Sequence, residues 1–384
     1  MLNFEFANPV KILFGKGQIA KLADEIPADA LILMTYGGGS IKRNGVYDQV
    51  TAALRGRKLI EFGGIEPNPS YETCMKAVDM VRREGVSFLL AVGGGSVVDG
   101  TKFIAAAARF EGEPWDILAK DAPVKSAVPL GVVLTLPATG SEMNTFAVIS
   151  RKATAEKLAF GSPAVYPKFS ILDPETTFSL PARQIGNGIV DAFAHVLEQY
   201  LTYPVNAPLQ DRMAEAILLT LIEEGPKTLA NPTDYDSRAN VMWCATMALN
   251  GLIAAGVPQD WTTHMIGHEI TALHGLDHAQ TLAITFPGTL SVRREAKREK
   301  LLQYAARVWN LREGSEEERT EGAIARTREF FESVGVKTRL RDYGLGGETV
   351  AAVAQRFEKR GWTGIGERGD VGPREVEQIL ACSL

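Results

Sequence analysis

Five histidines, His195, His264, His268, His274 and His278, are all that the chain has, and every one lies in its second half. Asp191 and His195 are four residues apart, as are His264 and His268, and His274 and His278. On a helix, that interval puts two side chains on one face. A carboxylate and several imidazoles without a thiolate form a nitrogen and oxygen donor set. Such a set suits Zn²⁺ or Fe²⁺, whereas Ca²⁺ and Mg²⁺ favour oxygen shells. Spacing does not say which histidines bind. Any one of them taken singly could be an ordinary hydrogen-bonded core or surface residue, so it is their grouping with Asp191 that points to a metal.

Two glycine loops supply a second kind of chemistry. The apolar run Phe88-Leu89-Leu90-Ala91-Val92 leads into Gly93-Gly94-Gly95-Ser96-Val97-Val98-Asp99 and then into a helical pattern. Glycines there let a pyrophosphate approach the backbone, and the free N–H groups of the helix start face its charge. A similar Gly37-Gly38-Gly39-Ser40 follows the strand pattern ending at Tyr36, with Lys42 and Arg43 just beyond. Dinucleotide folds that take NAD place a carboxylate after such a strand to hold the ribose 2'-hydroxyl. Small residues, a hydroxyl and two cations here favour the 2'-phosphate of NADPH instead. The hydroxyl-rich Thr135 to Glu142 suits contacts to ribose or nicotinamide.

These groups need a scaffold. Val10 to Phe14, Leu31 to Tyr36, Lys58 to Phe62, Ser87 to Val92 and Leu130 to Leu136 read as strands, with helical periods between the first four. That alternation predicts a parallel sheet with crossover helices. Phe146 to Asp173 reads as a hairpin excursion beside the sheet. From Pro181 onward helical periods follow one another: Ile185 to Tyr200, Leu209 to Glu224, Arg238 to Ala255, Trp261 to Leu273 and more. The expected organisation is an α/β dinucleotide-binding domain with a Rossmann-like parallel sheet over residues 1–178 and an all-α metal-binding domain over 179–384. A chain of 384 residues exceeds the ~250 to 300 that one core usually serves.

Composition narrows the partners. Apolar and charged fractions of 45% and 23% are those of an ordinary globular protein, and the net charge of −5 argues against nucleic acid, which would need a basic face. The basic run Arg293 to Lys300 is interrupted by glutamates and reads as a solvated helix face. Cys74, Cys244 and Cys382 are odd in number and outside any metal or disulfide pattern, which fits a reducing, cytoplasmic protein. No signal peptide pattern and no apolar run of membrane-spanning length is present.

With the glycine loops and the Asp-His grouping in view, the chain resembles the iron-containing alcohol dehydrogenase family, in its NADPH-dependent butanol dehydrogenase and aldehyde reductase branch. The likeness covers essentially the whole chain. It rests on Phe14-Gly15-Lys16-Gly17, Glu66-Pro67-Asn68-Pro69, Leu134 through Glu142 and His274-Gly275-Leu276-Asp277-His278-Ala279. The resemblance implies a dehydroquinate synthase-like architecture, a homodimer, and one divalent metal, zinc or iron, on Asp191, His195, His264 and His278. It places His268 near nicotinamide and substrate; because histidine alone titrates near neutral pH, His268, one turn from His264, is the candidate catalytic proton relay, with a water chain as the equal alternative. The resemblance also implies that Gly38, Ser40, Gly94, Gly95, Ser96, Asp99, Thr135, Asn144 and Lys157 contact NADPH. NAD-specific relatives carry an acidic residue in the first glycine loop, and this chain has none there.

Together these readings predict an NADP-dependent alcohol dehydrogenase or aldehyde reductase acting on small-molecule aldehydes and alcohols of short to medium chain length. The competing readings are a glycerol-type polyol dehydrogenase or a dehydroquinate synthase-like lyase of the same superfamily, and a non-catalytic NADP- or metal-sensing module. The apolar stretch Leu249 to Val257 reads as helix core rather than pocket wall.

Overall fold

The computed structural model describes residues 1 to 384. In chain order the first half comprises β1 (Lys11–Phe14), α1 (Leu22–Glu25), β2 (Leu31–Tyr36), α2 (Val46–Ala53), β3 (Lys58–Phe62), α3 (Tyr71–Glu84), β4 (Phe88–Gly94), α4 (Gly95–Arg109), α5 (Asp116–Ala119), β5 (Leu130–Leu136), β6 (Phe146–Arg151), β7 (Glu156–Gly161) and β8 (Phe169–Leu172). Helices follow: α6 (Ala182–Tyr200), α7 (Pro208–Ala230), α8 (Tyr235–Ala248), α9 (Thr262–His274), α10 (His278–Val292), α11 (Arg298–Arg307), α12 (Glu316–Ser333), α13 (Gly347–Arg360) and α14 (Pro373–Ala381). No helix is long and apolar enough to cross a membrane.

The chain forms two compact units. One holds Ala7–Leu180 with Pro232–Thr246, the other Met1–Phe6, Pro181–Asn231 and Met247–Leu384. The main crossing is at Leu180 and Pro181. Two short pieces are exchanged: the N-terminal residues join the helical unit, where Leu2 N–H donates to Gly256 O at 2.9 Å, and most of α8 joins the sheet unit. In the latter, Trp243 meets Phe14 edge to face at 5.8 Å.

The sheet is six-stranded and parallel, in the order β1-β8-β5-β4-β2-β3. Its inner strands carry apolar residues on both faces because both faces are covered. Leu33, Leu89, Ala91 and Val132 pack toward α3 and α4, while Ile32, Met34, Leu90 and Val133 pack with Ile19, Leu22, Val46 and Val50. Helix α3 is bounded as its sequence dictates: Ser70 accepts from Thr73 N–H at its start, and Gly85 closes it at φ 69°.

The expected hairpin exists as antiparallel β6 and β7, but the excursion is shorter than the sequence suggested. Phe169 to Leu172 instead enters the main sheet between β1 and β5, with Ser170 opposite both Ile12 and Val132. All four of its residues are buried, and an interior position rewards that apolar run more than a flanking hairpin could.

The helical unit packs Ile266, Ile270 and Ile284 against Val353, Phe357, Ile379 and Leu380. The helix expected over Arg238 to Ala255 stops at Ala248, because Gly251 and Gly256 take φ of 89° and 74° and turn the chain. Leu249 to Val257 is thus a turn segment rather than helix core. The basic run is a solvated face only in part: Glu295, Arg298 and Glu299 are exposed. Lys297 and Lys300 are buried, with Lys297 Nζ 2.9 Å from Asp260 and 2.8 Å from Glu367, and Lys300 Nζ 2.6 Å from Asp211. Helical spacing alone does not show that carboxylates from α7 and from the loops before α9 and α14 converge on those two positions.

Candidate metal centre and dinucleotide-binding loops

Helix α6 is buried along nearly its whole length, so its polar residues must find partners inside the unit. Asp191 and His195, one turn apart, present side chains only 4% and 5% exposed, with Asp191 Oδ1 3.8 Å from His195 Nδ1. Asp191 Oδ1 is also 3.7 Å from His278 Nε2. His264, near the start of α9, stacks on His195 at 4.7 Å between ring centroids and lies 5.2 Å from His278. One donor atom from each of Asp191, His195, His264 and His278 falls within 4.8 Å of the other three.

A divalent ion fits this set on two grounds. Separations near 3.7 Å are those of donors ~2.0 to 2.2 Å from a shared ion. His195 Nδ1 is buried with no hydrogen-bond partner, a costly state for an apolar interior and a normal one for a ligand atom. Burial, with His264 beside it, holds His195 well below the usual imidazole range and therefore neutral, the form that binds metal. At 21% exposure, the His278 side chain is the least covered of the four.

Behind the ligand face lies Glu198, three residues beyond His195 and fully buried. Its Oε1 accepts from the His264 N–H and ring Nδ1, each at 3.1 Å, and its Oε2 accepts from Trp261 N–H at 3.1 Å. An Nδ1–H donated to the carboxylate leaves Nε2 as the coordinating atom of His264. Burial drives Glu198 upward, as do Asp260 and Glu367, while Lys297 opposes them. Trp261 has φ 65°, a left-handed conformation that costs a bulky residue about 1–3 kcal/mol, and its ring meets His264 edge-on at 5.1 Å. Glu198 and Trp261 escaped the sequence reading. For Glu198 the signal was present, since it sits seven residues after Asp191 and three after His195 on one helical face.

The remaining histidines separate. His268 is half-buried on α9, its ring 5.2 Å from His278 and 6.5 Å from His264. His274 ends α9 and pairs its Nε2 with Thr349 Oγ1 at 3.1 Å. The expectation that His274 and His278 share a helix face fails because Gly275, at φ 72°, ends α9 and Asp277 starts α10 with a capping box to Gln280.

In the sheet unit, β4 ends at Gly94 and α4 begins at Gly95 without a side-chain cap, so its first N–H groups are left for a ligand. The glycines are sterically required: a Cβ on Gly93 would lie 2.6 Å from Val97 Cγ2, and one on Gly94 2.8 Å from Leu136 Cβ. Ser96 follows in the first turn of α4, and Thr135 sits near the end of β5. The other loop lies alongside. A Cβ on Gly37 would contact Val97 Cγ2 of α4 at 3.7 Å, Gly38 faces open space, and Gly39 takes φ 86° just before Ser40. These cradles fit a pyrophosphate and its ribose.

Three other residues expected at the dinucleotide are buried and occupied within the protein. Asp99 accepts from Ser141 Oγ at 2.6 Å and from Val148 N–H at 2.9 Å. Asn144 Oδ1 accepts from Lys102 Nζ at 3.0 Å, and Lys157 Nζ donates to Asn68 Oδ1 at 2.9 Å. In this structure they tie α4 to β6 and to the loop that follows β5, and β7 to the loop that follows β3. Lys102, unremarked in the sequence, is fully buried and also donates to the carbonyls of Asn144 and Phe146 at 2.8 Å each. Burial pushes its amine down to about 7, against the pull of Asp99 and Glu142.

Comparison with known proteins agrees with this geometry. The model of the iron-containing alcohol dehydrogenase family matches residues 9–174, and that of the family's C-terminal part matches 186–363. The NADPH-dependent aldehyde reductase YqhD of Escherichia coli K12 is 61% identical over 374 residues, 97% of either chain. A crystal structure of E. coli YqhD superposes with a TM-score of 0.99 at 59% identity, covering 100% of this chain and 99% of that one. The NADH-dependent butanol dehydrogenase A of Thermotoga maritima superposes with a TM-score of 0.95 at 36% identity and the same coverage. With matched models over both halves and this likeness along the full length, the chain belongs to the iron-containing alcohol dehydrogenase family.

Proposed function

We propose that this oxidoreductase is an NADPH-dependent aldehyde reductase that also oxidises primary alcohols, acts on short- to medium-chain substrates, and uses one zinc or iron ion on Asp191, His195, His264 and His278. The observation that carries the reading is the convergence of one carboxylate and three imidazole donors, within 4.8 Å, from three helices. When bound, the cation supplies Lewis acidity toward a carbonyl oxygen and the nicotinamide supplies hydride.

The chain's own groups do the rest. Asp191 offsets part of the ionic charge, burial keeps His195 neutral, and Glu198 fixes the ring plane and tautomer of His264. The Asp277 cap holds His278 at the first position of α10. His268, one turn after His264 and next to the least covered ligand, is the proposed donor of the proton that an alkoxide needs. Gly38, Ser40, Gly94, Gly95, Ser96, Asp99, Thr135, Asn144 and Lys157 are the proposed dinucleotide contacts, the last two and Asp99 being oriented by their bonds to Lys102, Asn68 and Ser141.

The E. coli relative is NADPH-dependent and the Thermotoga relative NADH-dependent, so family membership leaves the choice to local chemistry. A first glycine loop without a carboxylate, followed by Lys42, favours NADPH here. The three cysteines form no disulfide, which fits a reducing cytoplasm, and the exposed Leu2, Phe4 and Phe6 offer an apolar surface for a second copy. Plasma-emission metal analysis paired with reduction rates for butanal, longer aldehydes and the reverse oxidation of glycerol tests the assignment. Stoichiometric zinc or iron with NADPH-linked aldehyde reduction is expected. Glycerol oxidation outrunning every aldehyde would replace it with the polyol reading.

A further inference from the structure

The outermost sheet strand brings a carboxylate to the neighbourhood that the sequence left without one. Glu61 of β3 accepts from Tyr36 Oη at 3.1 Å and from Tyr47 Oη, and pairs with Lys42 Nζ at 3.1 Å. Tyr36 is the last residue of β2 and immediately precedes the Gly37 to Ser40 loop, and Lys42 ends the short helical turn that begins at Ser40. The Lys42 ammonium stands 4.9 Å and 4.6 Å from the Tyr36 and Tyr47 ring centroids, so Glu61 and two aromatic faces hold it together. Lys42 and Glu61 remain 44% and 30% exposed.

The placement relative to the dinucleotide loops follows from the sheet. Strand β2 lies between β3 and β4, and Gly37 packs on Val97 in the first turn of α4. A pyrophosphate at the start of α4 puts the adenosine ribose beside the next strand end, that of β2. A bare Glu61 there would repel a 2'-phosphate and attract a 2'-hydroxyl. Paired with Lys42 it does neither strongly, while it draws on the cation that a 2'-phosphate would otherwise engage in full.

We propose that Glu61 sets the NADPH to NADH preference from outside the glycine loop, by dividing the charge of Lys42 between its own carboxylate and the 2'-phosphate. The inference rests on the NADPH reading for the ribose position, but its sign can be read separately. Glu61 acts through Lys42, which makes it a positioning residue rather than a catalytic one.

Binding of adenosine 2',5'-bisphosphate and of AMP, measured by calorimetry on the full-length protein at low and high salt, tests it without turnover. Glu61→Gln should raise the ratio of 2',5'-bisphosphate to AMP affinity about three- to fivefold, the scale of an exposed charge pair. The gain should shrink as salt rises, which a change of shape alone would not produce. Lys42→Met should lower the ratio, and adding Glu61→Gln to it should restore nothing. Should Glu61→Gln unsettle the loop, AMP affinity will fall too, and Lys42→Met then carries the test: an unchanged ratio in it overturns the proposal. A folded Glu61→Gln with the parental ratio at low salt also overturns it and leaves the NADPH reading standing. A parent with no preference that gains one in Glu61→Gln upholds the proposal and removes the NADPH reading.

Discussion

Glu198 grips His264 twice with a single carboxylate oxygen, accepting from the backbone N–H and from ring Nδ1 at 3.1 Å each. A ring held at both its root and its edge cannot swing, so its other nitrogen is aimed before any ion arrives. That preorganisation predicts a cost for Glu198→Gln, which keeps the size and loses the charge. Metal affinity should drop about 10- to 100-fold. Competition against a chromophoric chelator measures it, and an unaltered affinity would remove Glu198 from the centre.

His264→Ala removes a donor outright. Turnover should fall by orders of magnitude and bound metal with it, while 2',5'-bisphosphate binding at the glycine loops stays near the parental value. Parental turnover in a preparation shown to contain no metal would refute the role assigned to the cluster.

His268→Asn tests the proton relay. A loss of about 10²-fold in turnover is expected, with metal content unchanged and part of the rate returned by added imidazole. Full activity in the variant would assign the proton to water instead.

Two glycine substitutions should behave oppositely. Gly38 has open space where a Cβ would go, so Gly38→Asp should fold normally and shift preference toward NADH by repelling a 2'-phosphate. Gly94→Ala would set its Cβ 2.8 Å from Leu136 Cβ and should weaken both dinucleotides alike. Equal NADPH to NADH ratios in parent and Gly38→Asp would count against the ribose assignment.

Lys297 ties the floor of the metal helices together, donating to Leu201 O at 2.7 Å and pairing with Asp260 and Glu367. Lys297→Met strands two buried carboxylates and should cost about 3–5 kcal/mol in a urea titration at pH 7. Burial alone would raise Asp260, but Lys297 and Thr262 outweigh it and hold Asp260 below its ordinary value. Its carboxylate therefore stabilises the fold above the usual carboxylate range, and that contribution is lost as pH falls through the lowered value. The gap between variant and parent should accordingly be widest near neutrality and narrow in acid. A gap that widens in acid would contradict the pairing.

What could be read in the sequence were local regularities. Asp191 and His195 at a four-residue interval, the two glycine turns after apolar runs, and the change from strand to helical periods near Pro181 are properties of contiguous residues. They follow from backbone geometry and the lack of a glycine side chain. Even so, local spacing misled where a break intervened, as at Gly275 between His274 and His278, because a four-residue interval means a shared face only within one unbroken helix.

What only the tertiary structure decided were meetings between distant segments. Phe169 to Leu172 could have flanked the sheet or entered it, and pairing with β1 and β5 settled the matter. Lys297 looked like one more surface cation until Asp260 and Glu367 met it, and Glu61 had no visible connection to the first glycine loop until β3 lay beside β2. Burial of a charge and the partner that makes it tolerable both depend on long-range packing, and neither leaves a period in the chain.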